Sequence, residues 1–413
     1  MRIAILTQYF PPEMGAPQAR LYELAVRLRA RGHELTIVTA MPNYPTGKVF
    51  PEYRRKVFCR ETLDGLSVIR TPILPSKSTN LLVRLISYMS FVMTSLLLGT
   101  PAVGRQDLLI VESPPLFLGL SGIPMAFLTR ARMVLMVSDI WPDVAVRMGN
   151  VISGRQARIL ERLEAFVYRH SACVALTNPG AVKQVSSRFP DVPCTVISNG
   201  VDTSFFRPDL RSEEIREEFG IEPGQFAAGY CGLHGIFQGL EVVLAAARRL
   251  QSQPHIQFVM VGDGPTKEAL TERAAREGLA NVTFYPRQPK QRMPAILASM
   301  DASLIPLAAP LPGTMPSKVY EALAAGVPII VTAGCEAEQL VCQYNVGRLF
   351  DAGNAEQLAA AVSELAGDPK LHAEIRANSL RLAQRFDRNR IASRTERMLR
   401  AVVTGSPLPQ VEW

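Results

Sequence analysis

Short apolar runs recur along this chain, separated by stretches whose apolar residues fall at helical spacing. Arg2 to Leu6 is such a run, Gln8 to Gln18 is a loop containing Pro and Gly, and Leu21, Leu24, Ala25 and Leu28 then mark one helix face that ends near Gly32. Leu35 to Thr39 predicts the next strand. Further strands are predicted at Leu66 to Thr71, Asp107 to Glu112, Met133 to Ser138, Ala172 to Thr177 and Cys194 to Ser198, with helical stretches such as Arg155 to His170 between them. Apolar strands alternating with amphipathic helices indicate a parallel sheet covered on both faces.

The same plan restarts after residue 200. Phe226 to Cys231 predicts a strand, Gly232 to Gly239 a Gly-rich turn, Leu240 to Leu250 a helix and Ile256 to Val261 the next strand. The alternation continues through Asn281 to Tyr285, Ala302 to Ile305, Val327 to Thr332 and Gly347 to Phe350, with Arg-rich helices at about Lys370 to Val403 and a Pro-containing tail after Gly405. The fold class is therefore α/β, with two doubly wound, Rossmann-like domains in series. The turn Asn199-Gly200-Val201-Asp202 sets the boundary, giving domains 1–198 and 199–385.

A length of 413 residues fits two domains of roughly 200 residues, and two domains imply a cleft. With 47% hydrophobic and 20% charged residues, wholesale disorder is excluded. The net charge of +8 is uneven: residues 1 to 200 hold 23 Lys+Arg against 13 Asp+Glu, and the remainder 22 against 24. A basic amino-terminal half attracts anionic partners such as nucleic acid, lipid headgroups or a pyrophosphate-bearing lipid. Six cysteines show no CxxC spacing and read as reduced core residues, and the amino terminus lacks the pattern of a signal peptide, so a cytosolic location is expected.

Asn80 to Gly104 is long and apolar enough to suggest a membrane span. A single crossing would put the two halves of the first sheet on opposite sides of the membrane. The segment is therefore read either as a helix dipped into the membrane interface, with Lys77, Arg84 and Arg105 meeting anionic headgroups, or as a buried core helix.

In an open parallel sheet, ligands lie at the carboxyl ends of strands, where helix N-termini favour anions. Gly15 follows the first strand, and Gly232, Gly235 and Gly239 follow the first strand of the second domain. Neither stretch has the GxGxxG or P-loop spacing. The stretch Met315 to Ile330 is more specific: Ser317 suits an N-cap, Lys318 falls in the first turn and Glu321 one turn later. A cation there opposes the helix dipole, which points to an anionic ligand, and Glu321 can accept from a ribose diol.

Over nearly its whole length the chain resembles the GT-B-fold family 4 glycosyltransferases of bacterial surface-polysaccharide synthesis, particularly WbuB-like and WcaI-like members. The resemblance rests on Tyr9 to Pro17, Ser138-Asp-Ile-Trp-Pro-Asp143, Ile197 to Asp202, Val261-Gly-Asp-Gly-Pro265 and Pro316 to Pro328. It implies a carboxyl-terminal domain for the nucleotide, an amino-terminal domain for the acceptor, and a last helix, about 386–403, that returns to the first domain. It also implies Glu321 on the ribose, backbone from Gly313 and Thr314 to Ser317 on the pyrophosphate, and Arg287 beside the base. Gly232, Gly262 and Asp263 would join the donor site, and Gly15 would approach the donor from the first domain.

Two departures stand out. The family's pair of glutamates eight positions apart is reduced to Glu321, because the first position is Gly313, and the usual Arg and Lys after the first strand of the second domain are replaced by Gly232-Leu-His-Gly-Ile-Phe-Gln-Gly239. Lys318 is the expected substitute at the leaving diphosphate, with His234 also considered. Asp139 is the first candidate for contact with the acceptor hydroxyl or transferred sugar, and Glu13 the second. No DxD motif appears and the five His are scattered, so no metal cofactor is expected.

The implied reaction moves a sugar from a nucleoside-diphosphate sugar to a hydroxyl with retention of configuration. The expected acceptor is a polyprenyl-diphosphate-linked saccharide at the inner face of the cytoplasmic membrane, reached through the basic amino-terminal domain, with no nucleic acid involved. A sugar-nucleotide epimerase of the same architecture and an inactive nucleotide-binding scaffold are the alternatives.

Overall fold

In a computed structural model, residues 1–13, 15–78, 80–141 and 154–409 are described. The chain divides into two units, Met1–Asn199 with Ile391–Trp413, and Gly200–Arg390.

The sheet of the first unit contains β1 (Arg2–Leu6), β2 (Glu34–Ala40), β3 (Cys59–Leu63), β4 (Leu66–Thr71), β5 (Leu108–Ser113), β6 (Arg132–Val137), β7 (Cys173–Leu176) and β8 (Cys194–Val196). Its order is β3-β4-β2-β1-β5-β6-β7-β8. Ile3 to Leu6 are fully buried because helices cover both faces. On one side, Leu21, Leu24, Ala25 and Leu28 of the Ala16–Ala30 helix pack with Ile391, Met398, Leu399 and Val402 of the Arg388–Thr404 helix. The last helix thus starts in the second unit and completes the core of the first. On the other side, Phe91, Val92, Met125, Val167 and Val185 form the second layer.

A wholly parallel sheet was expected, and the edge corrects that reading. β3 pairs antiparallel with β4, Leu63 opposite Leu66, through the two-residue turn Asp64-Gly65 with φ of 48° and 76°. Both central residues have the positive φ of a tight hairpin, which is why an Asp-Gly pair occurs here. β3 alternates exposed and half-buried residues, as an edge strand with one wet face should.

The segment from Leu82 to Val103 forms an α-helix (Leu81–Thr94), a π-helical turn (Ser95–Gly99) and a last α-helical turn (Thr100–Val103). It joins β4 to β5, both members of one sheet, so it does not carry the chain across a membrane. Only 28% of its most apolar window is buried, which also removes the reading of a fully buried core helix.

The second unit contains β9 (Phe226–Cys231), β10 (Ile256–Val261), β11 (Val282–Tyr285), β12 (Ala302–Ile305), β13 (Ile329–Thr332) and β14 (Gly347–Phe350), ordered β11-β10-β9-β12-β13-β14 and all parallel. The order reverses beside β1 in the first sheet and beside β9 in the second. Loops that leave neighbouring strand ends there run in opposite directions, which opens a crevice at each carboxyl edge.

Candidate functional site

In the second unit the crevice lies between the loops after β9 and β12. The first loop runs through Gly232 to Gly239, and the second leads to the Ser317–Ala324 helix. Lys318 lies in the first turn of that helix, half-buried, with Nζ 3.7 Å from the centre of the Tyr230 ring. A Cβ on Gly232, whose φ is 150°, would come within 2.4 Å of that nitrogen, so the glycine leaves room for the ammonium. Burial lowers the pKa of Lys318 to about 8, opposed by the nearby Cys231 and Glu321. No salt bridge to Lys318 occurs among the described residues. Glu321 is half-buried one turn later; burial pushes its carboxyl up, while Lys318, Arg388 and Lys290 pull it down.

His234 is fully buried, and neither ring nitrogen has a hydrogen-bond partner in the structure. Its ring lies between Tyr230 and Phe284, with centroid distances of 5.6 and 6.2 Å. Burial first, then Lys267 and Lys318, bring its pKa down to about 4. His234 is therefore neutral at pH 7 and does not replace a missing cation, which corrects that part of the sequence reading. Gly262 has a reason in packing: with φ of 145°, its Cβ would meet the Gly232 carbonyl oxygen at 1.8 Å. Hydrogen bonds from Gly232 N to the Val261 carbonyl (2.8 Å) and from His234 N to the Asp263 carbonyl (2.9 Å) continue the ladder past the strand ends. Asp263 is exposed at the tip and accepts from the Gly264 N–H (3.1 Å). Arg287 is exposed in the turn after β11.

The approach to the Ser317–Ala324 helix corrects one expectation. Pro316, with φ −61° and ψ 125°, takes the N-cap position, so Ser317 is the first helical residue and makes no capping bond. Gly313 N donates to Glu336 Oε1 (3.1 Å) and Thr314 N to the Leu311 carbonyl (3.2 Å). Glu336 went unnoticed in the sequence. It is buried after β13 and brings a carboxylate beside Gly313, where the family pattern places a Glu side chain.

In the first unit, the crevice beside β1 contains an ion-pair network that sequence reading also missed. Arg20, from the helix after β1, bonds through Nη2 to Glu112 Oε1 at the end of β5 and to Ser138 Oγ (2.8 Å). Its Nη1 donates to Asn199 Oδ1 (2.8 Å), and Ser138 Oγ donates to Glu112 Oε1 (2.8 Å). Glu112 is buried, which raises its pKa, and Arg20 opposes the rise. Asp139 follows this cluster with an exposed side chain; partial desolvation raises its carboxyl and Arg20 lowers it. Asp143 lies outside the described residues. Glu13 is buried and braces loops: Oε1 accepts from the N–H of Asn43 and Tyr44 (both 2.8 Å), and Oε2 from the N–H of Phe10 (3.2 Å). Gly15 is exposed, with an extended φ of 176° that any residue adopts.

Each half of the chain matches a family model: residues 15–200 a glycosyl transferase 4-like domain, and residues 211–381 the glycosyl transferases group 1. The chain belongs to the GT-B glycosyltransferases. WcaI of Escherichia coli K12, a glycosyl transferase assigned to colanic acid biosynthesis, is 28% identical over 82% of this chain and 84% of its own. A GDP-mannose-dependent phosphatidylinositol monomannoside mannosyltransferase of Mycolicibacterium smegmatis is 25% identical over 89% of both chains. The Anabaena protein HepE, solved in complex with UDP, superposes with a TM-score of 0.72 over 97% of this chain and 100% of that one, at 20% identity.

In this glycosyltransferase the carboxyl edge of the first sheet also carries aromatic rings. Tyr88 stacks with Phe117 (5.9 Å), Phe117 meets Trp141 edge-on (5.8 Å), and Tyr9 meets Tyr44 edge-on (5.7 Å). The rings come from four loops and one helix, so no single sequence motif announces them. In the second unit of the glycosyltransferase, an ammonium, a helix N-terminus and a carboxylate meet at one strand end. That chemistry suits an anion joined to a diol.

Proposed function

We propose that the protein transfers a sugar from a nucleoside-diphosphate sugar, held by the second unit, to a hydroxyl of a lipid-linked saccharide bound by the first. The observation that carries this reading is Lys318: a half-buried ammonium without a salt bridge among the described residues, in the first turn of a helix, one turn before Glu321. A cation so placed is unfavourable unless an anion comes to it. The diphosphate is that anion, and Glu321 takes the ribose hydroxyls. HepE bound to UDP supports the donor class, and WcaI, assigned to colanic acid biosynthesis, supports a role in polysaccharide assembly.

In the proposed reaction the anomeric C–O bond to the diphosphate breaks as the acceptor oxygen bonds to the same face. The acceptor proton passes to the departing phosphate oxygen, giving retention without a strong protein base. Lys318 and the helix N-terminus stabilise the charge that grows on the diphosphate, in place of a metal ion. Asp139 orients the acceptor hydroxyl or the transferred sugar. The protein works at the cytoplasmic face of the membrane, to which the basic first unit is drawn by anionic headgroups.

Purified protein and membranes incubated with a panel of nucleotide sugars, scored for nucleoside-diphosphate release and glycolipid product, test the reading. Lys318→Ala should lower kcat and kcat/KM together. Release of an epimerised donor, or donor binding without turnover over the whole panel, would overturn it.

A further inference from the structure

The first unit carries an apolar surface at the edge opposite its catalytic crevice. Phe127 is 83% exposed, Leu97 and Leu128 each 63%, at the ends of the Gly119–Thr129 helix and the π-helical turn that pack together there. Between them runs a groove of about 790 Å³ lined by Leu96, Leu97, Pro124 and Leu128, with Arg105 and Arg130 at its rim. The Gln106 N–H donates to the Thr129 carbonyl (3.0 Å), which fixes the two arginines on adjoining turns. They precede β5 and β6, so the groove lies at the strands' amino ends, away from Glu112 and Asp139.

The stretches that form the groove are basic. From Leu66 to Gln106 and from Ser113 to Ser138 the sequence contains no Asp or Glu, while Arg105 and Arg130 are exposed. Asp107, the acid between these stretches near the groove, is held by Arg2. Neither Arg105 nor Arg130 forms a salt bridge among the described residues. Arg130 adopts φ 58° and ψ 28°, a left-handed position that glycine or asparagine usually fills. The helix dipole favours a cation there, but an arginine one residue earlier would gain as much without the backbone strain. The position keeps a guanidinium at the groove's mouth.

We infer that this groove binds one anionic phospholipid, an acyl chain lying along Leu96, Leu97 and Leu128 and the phosphate between Arg105 and Arg130. The inference rests on the membrane location proposed above and adds to it a defined lipid site separate from the acceptor's.

Flotation of the full chain with vesicles of phosphatidylglycerol in phosphatidylcholine, against phosphatidylcholine alone, tests it. Arg130→Gly removes the charge and relieves the left-handed strain, so binding to the anionic vesicles should fall about fivefold to tenfold while Tm stays level or rises. Leu128→Trp blocks the groove but adds apolar surface, so a defined site predicts weaker binding and diffuse adsorption predicts equal or stronger binding. Wild-type binding by both variants would overturn the inference. So would self-association of the lipid-free wild type that Leu128→Trp abolishes, because a second copy would then be the occupant. Nucleoside-diphosphate release from the donor panel, measured in detergent, reports the transferase reading separately.

Discussion

The ammonium of Lys318 lies 3.7 Å from the ring centre of Tyr230, close enough for the aromatic face to supply part of the solvation that burial removes. The compensation is incomplete, because the pKa still falls from 10.5 to about 8.

Between about pH 8 and 10.5 the unfolded chain binds the Lys318 proton and the folded chain does not, so stability rises with pH across that window. Lys318→Met should flatten this rise and lift Tm at pH 7 by roughly 2–4 °C, after the lost cation–π contact is counted. Turnover should fall by about 10- to 1000-fold. Thermal melts over the pH range and donor kinetics check both parts, and an unchanged kcat would remove Lys318 from the chemistry.

His234 acts in the same direction in a lower pH window. Its folded pKa of about 4 lies below the ordinary 6.5, so stability is lost as pH falls from 6.5 towards 4. His234→Phe places an apolar ring between Tyr230 and Phe284 and removes two unpartnered nitrogens. Urea midpoints at pH 4.5 and 7 should converge in the variant. Donor affinity that falls with the substitution would place the imidazole on the donor.

Glu112→Ala leaves the Arg20 guanidinium buried without its carboxylate and should destabilise the protein by about 3–5 kcal/mol. Paired with Arg20→Met, most of that loss should return, because no charge is stranded. Additive losses in the double-mutant cycle would show that the two side chains act independently.

Glu13→Ala strips acceptors from three loop N–H groups, which costs about 1–3 kcal/mol for each one left unsatisfied. Nucleotide binding, measured calorimetrically, should be unchanged. A selective loss of turnover with unchanged Tm would instead make Glu13 a participant in the reaction.

Asp139 is exposed, and Asp139→Asn should leave Tm within about 1 °C, as surface changes usually do. Turnover with saturating donor should drop by about 100-fold if its charge orients the acceptor. Full turnover would end that assignment.

Much of this was legible in the residue pattern. Lys318 and Glu321 are three apart on a helix that the pattern announces, so their shared face follows from helical pitch. β3 was missed although Asp64-Gly65 signals a hairpin, because its half-polar alternation is weaker than the apolar runs of the central strands. Arg20 and Glu112 are separated by 92 residues, and Glu112 reads as the polar end of an apolar strand. Glu336 meets Gly313 only because the loops after β12 and β13 leave adjacent strands.

The sequence by itself determined two α/β units and the stretch around Lys318, since periodicity and turn chemistry act over a few residues. Tertiary structure alone decided which charges are paired, that His234 is neutral, and that the Leu82–Val103 segment lies largely unburied. Those properties depend on desolvation and on partners brought together from distant strands, and local spacing carries no information about either.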